Sequence, residues 1–264
     1  MFQPRRVPRL HGISINRLIP NIITVCALCA GMTAIRFGSM DRWEAGVLAI
    51  IAAAILDGLD GRVARLLRAT SKFGAELDSL SDFVSFGVAP AMLLYFWTMH
   101  TLGGFGWALV MLFAVGMALR LARFNTMMGE TDLPWAYHFF TGVPAPAGAM
   151  LVLLPMMLSF QFGEDFFGQP VVACIVLVGV SLLTVSRIPT FSGKKIRIPP
   201  IYVLPLMLVV GLTMAFMITA PWTTLSLCLL LYLISIPFSI KAFRKLNRQV
   251  HTIRDHDGAH RGKP

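Results

Sequence analysis

A chain of 264 residues that is 56% hydrophobic and only 14% charged, with a mean hydropathy of +0.71, is too apolar for a soluble domain and reads as an integral membrane protein. Its net charge of +10 lies at the ends of apolar segments, where it sets topology and meets anionic lipid headgroups, so membrane lipids and no nucleic acid are the partners it implies. Cys26, Cys29, Cys174 and Cys228 all lie in apolar runs, and the C-x-x-C at Cys26 has no second pair to complete a zinc site.

Residues 1–19 form a basic segment with Arg5, Arg6, Arg9 and Arg17. It superficially resembles the start of a secretory signal, but seven further hydrophobic segments follow. The first span is predicted from about Pro20 to Ile35, with the proline suited to a helix start. The second begins near Trp43 and runs through AGVLAIIAAAIL into an acidic stretch, DGLDGRVARLLRATSKFGAELDSLSD, from Asp57 to Asp82. The third covers about Phe73 to Trp97, and the fourth, about Phe105 to Leu121, exits in ALRLARFN. HFFTGVPAPAGAM leads a fifth span to about Phe160, and a sixth covers Pro170 to Val185. The exit SRIPTFSGKKIRIPP is too rich in proline to continue as helix. Two last spans, about 201–219 and 223–240, precede a basic tail at 241–264. The expected fold is therefore all-α, one membrane domain over residues 1–264, with eight spans in a core at 20–240. Eight spans put both termini on one side; of the 23 Lys and Arg, all but Arg36 and Arg42 fall on that side, which the positive-inside rule makes cytoplasmic.

The acidic stretch carries the chemistry. On a helix, Asp57, Asp60, Gly61 and Ala64 share one face, and so do Gly74, Asp78 and Asp82. Two helices joined by a short turn can thus aim four carboxylates at one another, at the cytoplasmic end of two spans. Acids there are costly and point to function. Four together repel unless a cation lies between them, and hard oxygen ligands suit magnesium, manganese or calcium shared with a substrate phosphate. A glycine on such a face lets a bulky substrate lie against the backbone. The flanks are too apolar for a solvated surface helix pair. Arg120, three residues before Arg123, falls about one turn inside its span, facing the acids or a bound phosphate.

The frame D-x2-D-G-x2-A-R-x8-G-x3-D-x3-D, filled by Asp57, Asp60, Gly61, Ala64, Arg65, Gly74, Asp78 and Asp82, is identified as the signature of the CDP-alcohol phosphotransferase family. The resemblance covers roughly residues 13–200 and implies that family's fold, a CDP-linked lipid as donor, an alcohol as acceptor and CMP as the leaving group. It implies that Asp57, Asp60, Asp78 and Asp82 bind divalent metal, two ions per site, and that Asp82 is also the base for the acceptor hydroxyl. It places Asp60, Gly61, Ala64, Arg65, Gly74 and Asp78 at the nucleotide. Pro20, Asn21 and Thr24 form P-N-x-x-T, similar to the family's first-helix motif, whose polar side chains face the nucleotide. A homodimer in a bacterial-type inner membrane, with its site facing the cytoplasm, is also implied.

ALRLARFN, FTGVPAPAGA and SRIPTFSGKK resemble the serine-accepting branch, which implies transfer of a phosphatidyl group from CDP-diacylglycerol to L-serine. The SRIP segment departs from that branch, which leaves glycerol 3-phosphate, inositol phosphate or choline as alternative acceptors. Arg120, Arg123, Asn125, Lys195 and Arg197 are the candidates for binding the acceptor or a phosphate. A cation transporter is a different class of reading, set apart because its acids belong near the midplane rather than at one interface.

Overall fold

The computed structural model describes residues 15–127, 139–186, 189–191 and 199–240. Lys195 and Arg197, together with residues 1–14 and the basic tail at 241–264, lie outside them. Helix α1 (Ile15–Gly38) packs along α2 (Trp43–Leu66) as the most extensive helix pair of the fold. It begins five residues before Pro20, so that proline lies inside the helix rather than opening it. A missing N–H so near a helix end forfeits at most one intrahelical bond, which packing can offset.

The predicted third span is one rod in three parts: α3 (Lys72–Asp82), a π-helical turn (Phe83–Val88) and α4 (Ala89–Trp97). Across the π turn, Ala89 N–H donates to the Val84 carbonyl, five residues back. The turn lies against α1. Ser81 Oγ donates to the Thr24 carbonyl at 3.1 Å and Ser85 Oγ to the Ala27 carbonyl at 3.2 Å. Gly31 makes this approach possible, since a Cβ there would come within 2.5 Å of Ser85 Oγ. Small residues and hydroxyls at a helix crossing bring backbones together where the hydrophobic effect cannot.

Next comes α5 (Gly103–Met127), two turns longer than the span foreseen from hydropathy. The fifth span is broken: α6 (Ala145–Val152) and α7 (Leu154–Phe162) meet at 41°, with Pro155 in the first turn of α7. A single turn, α8 (Glu164–Phe167), leads into α9 (Pro170–Val185). The only departure from all-helical structure among the described residues is a three-residue antiparallel pair, β1 (Phe139–Thr141) with β2 (Pro189–Phe191), in register Phe139 to Phe191. It ties the entry of α6 to the exit of α9. The last described elements are α10 (Val203–Thr219), no residue of which is buried, and α11 (Pro221–Ile240).

Among the described residues, four helical stretches are long and apolar enough to cross a membrane: Leu18–Gly38, Lys72–Trp97, Met99–Thr126 and Pro221–Ile240; the α6–α7 pair makes a fifth as one broken span. Helices α9 and α10 are apolar but shorter. Phe86, Phe113, Leu93, Leu94, Met117 and Leu177 centre the core, between α4, α5, α6 and α9.

Candidate active site

The site is built by the turn that joins α2 to α3. At the end of α2, Arg68 takes a left-handed φ of 50°. Ala69 N–H donates to the Ala64 carbonyl at 2.9 Å and Arg68 N–H to the Arg65 carbonyl at 3.2 Å. These are the two bonds of a Schellman motif, with an arginine where glycine is usual. Two residues on, Ser71 caps α3 by accepting from Gly74 N–H at 3.0 Å. A helix stop and a helix start five residues apart reverse the chain, so the acidic faces of α2 and α3 confront each other.

The confrontation is close. One ligand oxygen from each of Asp57, Asp60 and Asp78 lies within 4.8 Å of the others. Asp60 is buried, while Asp57, Asp78 and Asp82 are half-buried. The Asp82 carboxyl lies close beside that of Asp57. Two carboxylates so placed either share a proton or take up a cation. Asp82 is also within electrostatic reach of Arg120. An all-oxygen donor set carrying this surplus of negative charge fits a hard divalent cation.

Thr24 is buried, and its hydroxyl lies 2.6 Å from Asp60 Oδ2 and 3.1 Å from the Pro20 carbonyl. One hydroxyl proton serves one acceptor, and the shorter contact is to the carboxylate. Partners of this kind orient a ligand and set its basicity. Thr24→Val keeps the shape and removes the bond, so we expect the divalent cation needed for half-maximal activity to rise by ~10- to 100-fold. A metal titration of the two proteins checks this, and superimposable curves would leave Thr24 a packing residue.

The two glycines of the frame differ. A Cβ at Gly61 would meet nothing within 4 Å, whereas one at Gly74 would lie 2.9 Å from Asn21 Oδ1 and 3.1 Å from Ser71 Oγ. Gly61 thus borders open space, and Gly74 makes room for α1. Ala64 lies half-buried on the Gly61 face, and the exposed Arg65 folds its Nε back to the Gly61 carbonyl at 3.0 Å.

The remaining candidates separate in the same way. Arg123 Nη1 donates to the Val185 carbonyl at 2.8 Å, at the end of α9. Asn125 Nδ2 donates to Ser79 Oγ at 2.9 Å, linking α5 to α3 beside Asp78. Both therefore brace helices around the acids. Arg120 is within electrostatic reach of Asp82, and its Nε is buried with no hydrogen-bond partner among the described residues. Tyr232 of α11, which hydropathy alone does not single out, is also within electrostatic reach of Arg120. Its only sequence signal is a phenol in the apolar run LLLYLISIPF.

Comparison with known proteins agrees with this geometry. Residues 17–186 match the family described as CDP-alcohol phosphatidyltransferase, and residues 201–237 a second description, CDP-alcohol phosphatidyltransferase 2. A Mycobacterium leprae protein named CDP-diacylglycerol–serine O-phosphatidyltransferase is 42% identical over 88% of this chain and 78% of its own. Proteins of the same name from Helicobacter pylori and Bacillus subtilis are 38% and 35% identical, over 82% and 67% of this chain and 88% and 92% of theirs.

Proposed function

Because this chain belongs to the CDP-alcohol phosphatidyltransferase family, we propose that it moves the phosphatidyl group of CDP-diacylglycerol to the hydroxyl of L-serine, giving phosphatidylserine and CMP. The observation that carries the reading is the convergence of Asp57, Asp60 and Asp78, with Asp82 beside Asp57 and within electrostatic reach of Arg120. Serine presents a hydroxyl to deprotonate and a carboxylate to hold, and Asp82 and Arg120 supply one group for each.

Asp57, Asp60 and Asp78 would hold a divalent cation, with Asp82 able to join them for the second ion that the family resemblance implies. Such an ion, magnesium or manganese, neutralises the pyrophosphate and the departing CMP when bound. The work of the chain's own groups is positioning and proton transfer. The open face at Gly61 admits the donor against the α2 backbone. Asp82 takes the proton from the serine hydroxyl as its oxygen bonds to the phosphorus bearing diacylglycerol. The bond from that phosphorus to the CMP oxygen breaks, and CMP leaves with the electron pair. Arg120 meets the serine carboxylate as a planar fork.

The test supplies purified protein and CDP-diacylglycerol with serine, glycerol 3-phosphate, inositol phosphate or choline in turn, and follows CMP release. Serine should be used and the others should stay near background; preference for another alcohol would overturn the acceptor.

The charge bias and the family resemblance favour eight spans in a bacterial inner membrane with the acids at the cytoplasmic face. A cysteine placed between Arg68 and Lys72 is expected to react with an impermeant maleimide only from the cytoplasm, and one between Gly163 and Gln169 only from outside. The reverse pattern would turn the site around.

A further inference from the structure

The turn at residues 67–71 joins α2 to α3, but Asp57 and Asp82 lie about 15 Å from it along their helices. Over that length a splay of about 4° moves a carboxylate by about 1 Å, twice the displacement that a ligand set tolerates. A third element must therefore hold the two arms, and α1 touches both. Its seam with α3 runs in parallel from Asn21 beside Gly74, through Thr24 and Ala27, to Gly31 against Ser85. Thr24 is tied to both arms: its hydroxyl lies 2.6 Å from Asp60 Oδ2 on α2, and its carbonyl accepts from Ser81 Oγ on α3 at 3.1 Å. A helical carbonyl keeps a second lone pair for such a bond. Ser81 is buried, directly precedes Asp82 and follows Asp78 by three residues, so its bond pins the part of α3 that carries both acids.

We infer that Ser81 is a positioning residue of the acidic site: by anchoring α3 to the Thr24 backbone it sets the spacing of Asp78 and Asp82 from Asp57 and Asp60, with α1 as the ruler. A serine suits the task because its hydroxyl is small enough to stay within a close helix crossing and still give the contact a direction. Ser85 supplies the internal comparison. It is as deeply buried, lies on the same seam and donates to the Ala27 carbonyl at 3.2 Å, but it stands three residues beyond the last acid, inside the π-helical turn. A bond that only held the helices together would count the same at either serine. The inference rests on the acids holding a divalent cation, as proposed above.

The test measures manganese binding to the full-length protein without substrate, from the electron paramagnetic resonance signal of the free ion, for wild type, Ser81→Ala and Ser85→Ala. Melting in EDTA checks the fold: loss of one hydrogen bond should lower the melting temperature of either variant by no more than ~4 °C. Ser81→Ala should raise the Kd for manganese roughly tenfold, as loss of a partner outside the ligand shell does, while Ser85→Ala stays within about twofold of wild type. Equal shifts in the two variants, or an unchanged Kd in Ser81→Ala, would overturn the inference. A second readout needs no metal. Spin labels at the exposed Ile55 of α2 and Leu80 of α3, in a chain whose four cysteines are replaced, should give a broadened or displaced distance distribution with Ser81→Ala and not with Ser85→Ala. Should the wild type bind no manganese, the metal reading fails by itself, and an unchanged distribution in Ser81→Ala then overturns the role of Ser81.

Discussion

Asp82→Asn is expected to lower CMP release with serine by ~10²- to 10⁴-fold, the usual worth of general-base assistance, while metal-dependent binding of CDP-diacylglycerol persists. Three observations motivate the split. Asp82 is not one of the three acids whose oxygens converge within 4.8 Å. It stands at the end of α3, directly before the π-helical turn, with its carboxyl beside that of Asp57 and within electrostatic reach of Arg120. An asparagine there keeps one acceptor oxygen and the volume but has no basicity for a serine hydroxyl. A fall in kcat without loss of donor affinity is the signature of an interaction made only in the transition state. Donor binding measured on the same preparation decides the matter. Parallel loss of binding and turnover would make Asp82 chiefly a metal ligand, and unchanged turnover would remove it from the mechanism.

Gly61→Leu should separate stability from activity in the opposite way to a core mutation. An added side chain at Gly61 meets no protein atom within 4 Å of its Cβ, and glycine within a helix costs roughly 0.5–1 kcal/mol relative to alanine. The melting temperature in detergent should therefore hold or rise. CMP release should fall by at least ~10²-fold, because a branched side chain projects into the space where the donor meets the helix, and a misplacement of about 1 Å can cost that much. Wild-type turnover in this variant would place the donor elsewhere. Gly74 makes the informative contrast: its Cβ would press on Asn21, so Gly74→Leu should cost stability first.

The spacing of acids and glycines carried the site in the sequence because it is local: residues three and four apart share a helix face, and one short turn sets two such faces together. Four of the apolar spans, and the α6–α7 pair as a fifth, were legible for the same reason. What was not legible depends on contacts between distant segments. Thr24 and Asp60 lie 36 residues apart, and nothing in P-N-x-x-T distinguishes a hydroxyl facing a nucleotide from one that holds a carboxylate. The π-helical turn after Asp82 leaves no mark in hydropathy. It follows α1, where Gly31 admits Ser85 and the Ala27 carbonyl receives its hydroxyl, and π turns of this kind recur at functional sites. Gly61 and Gly74 look alike in the frame, yet α1 fills the space beside one and leaves the other open. Arg120 and Arg123 likewise lie one turn apart, and only the packing of α9 shows that Arg123 is spent on the Val185 carbonyl.

The convergence of Asp57, Asp60 and Asp78 is the centre of this account, and CMP release from CDP-diacylglycerol and serine, before and after chelation, tests it most directly. Exhaustive treatment with EDTA should abolish release, and magnesium or manganese added back to the same sample should restore it. Full activity in the chelated enzyme would contradict the metal site that the three carboxylates are taken to form.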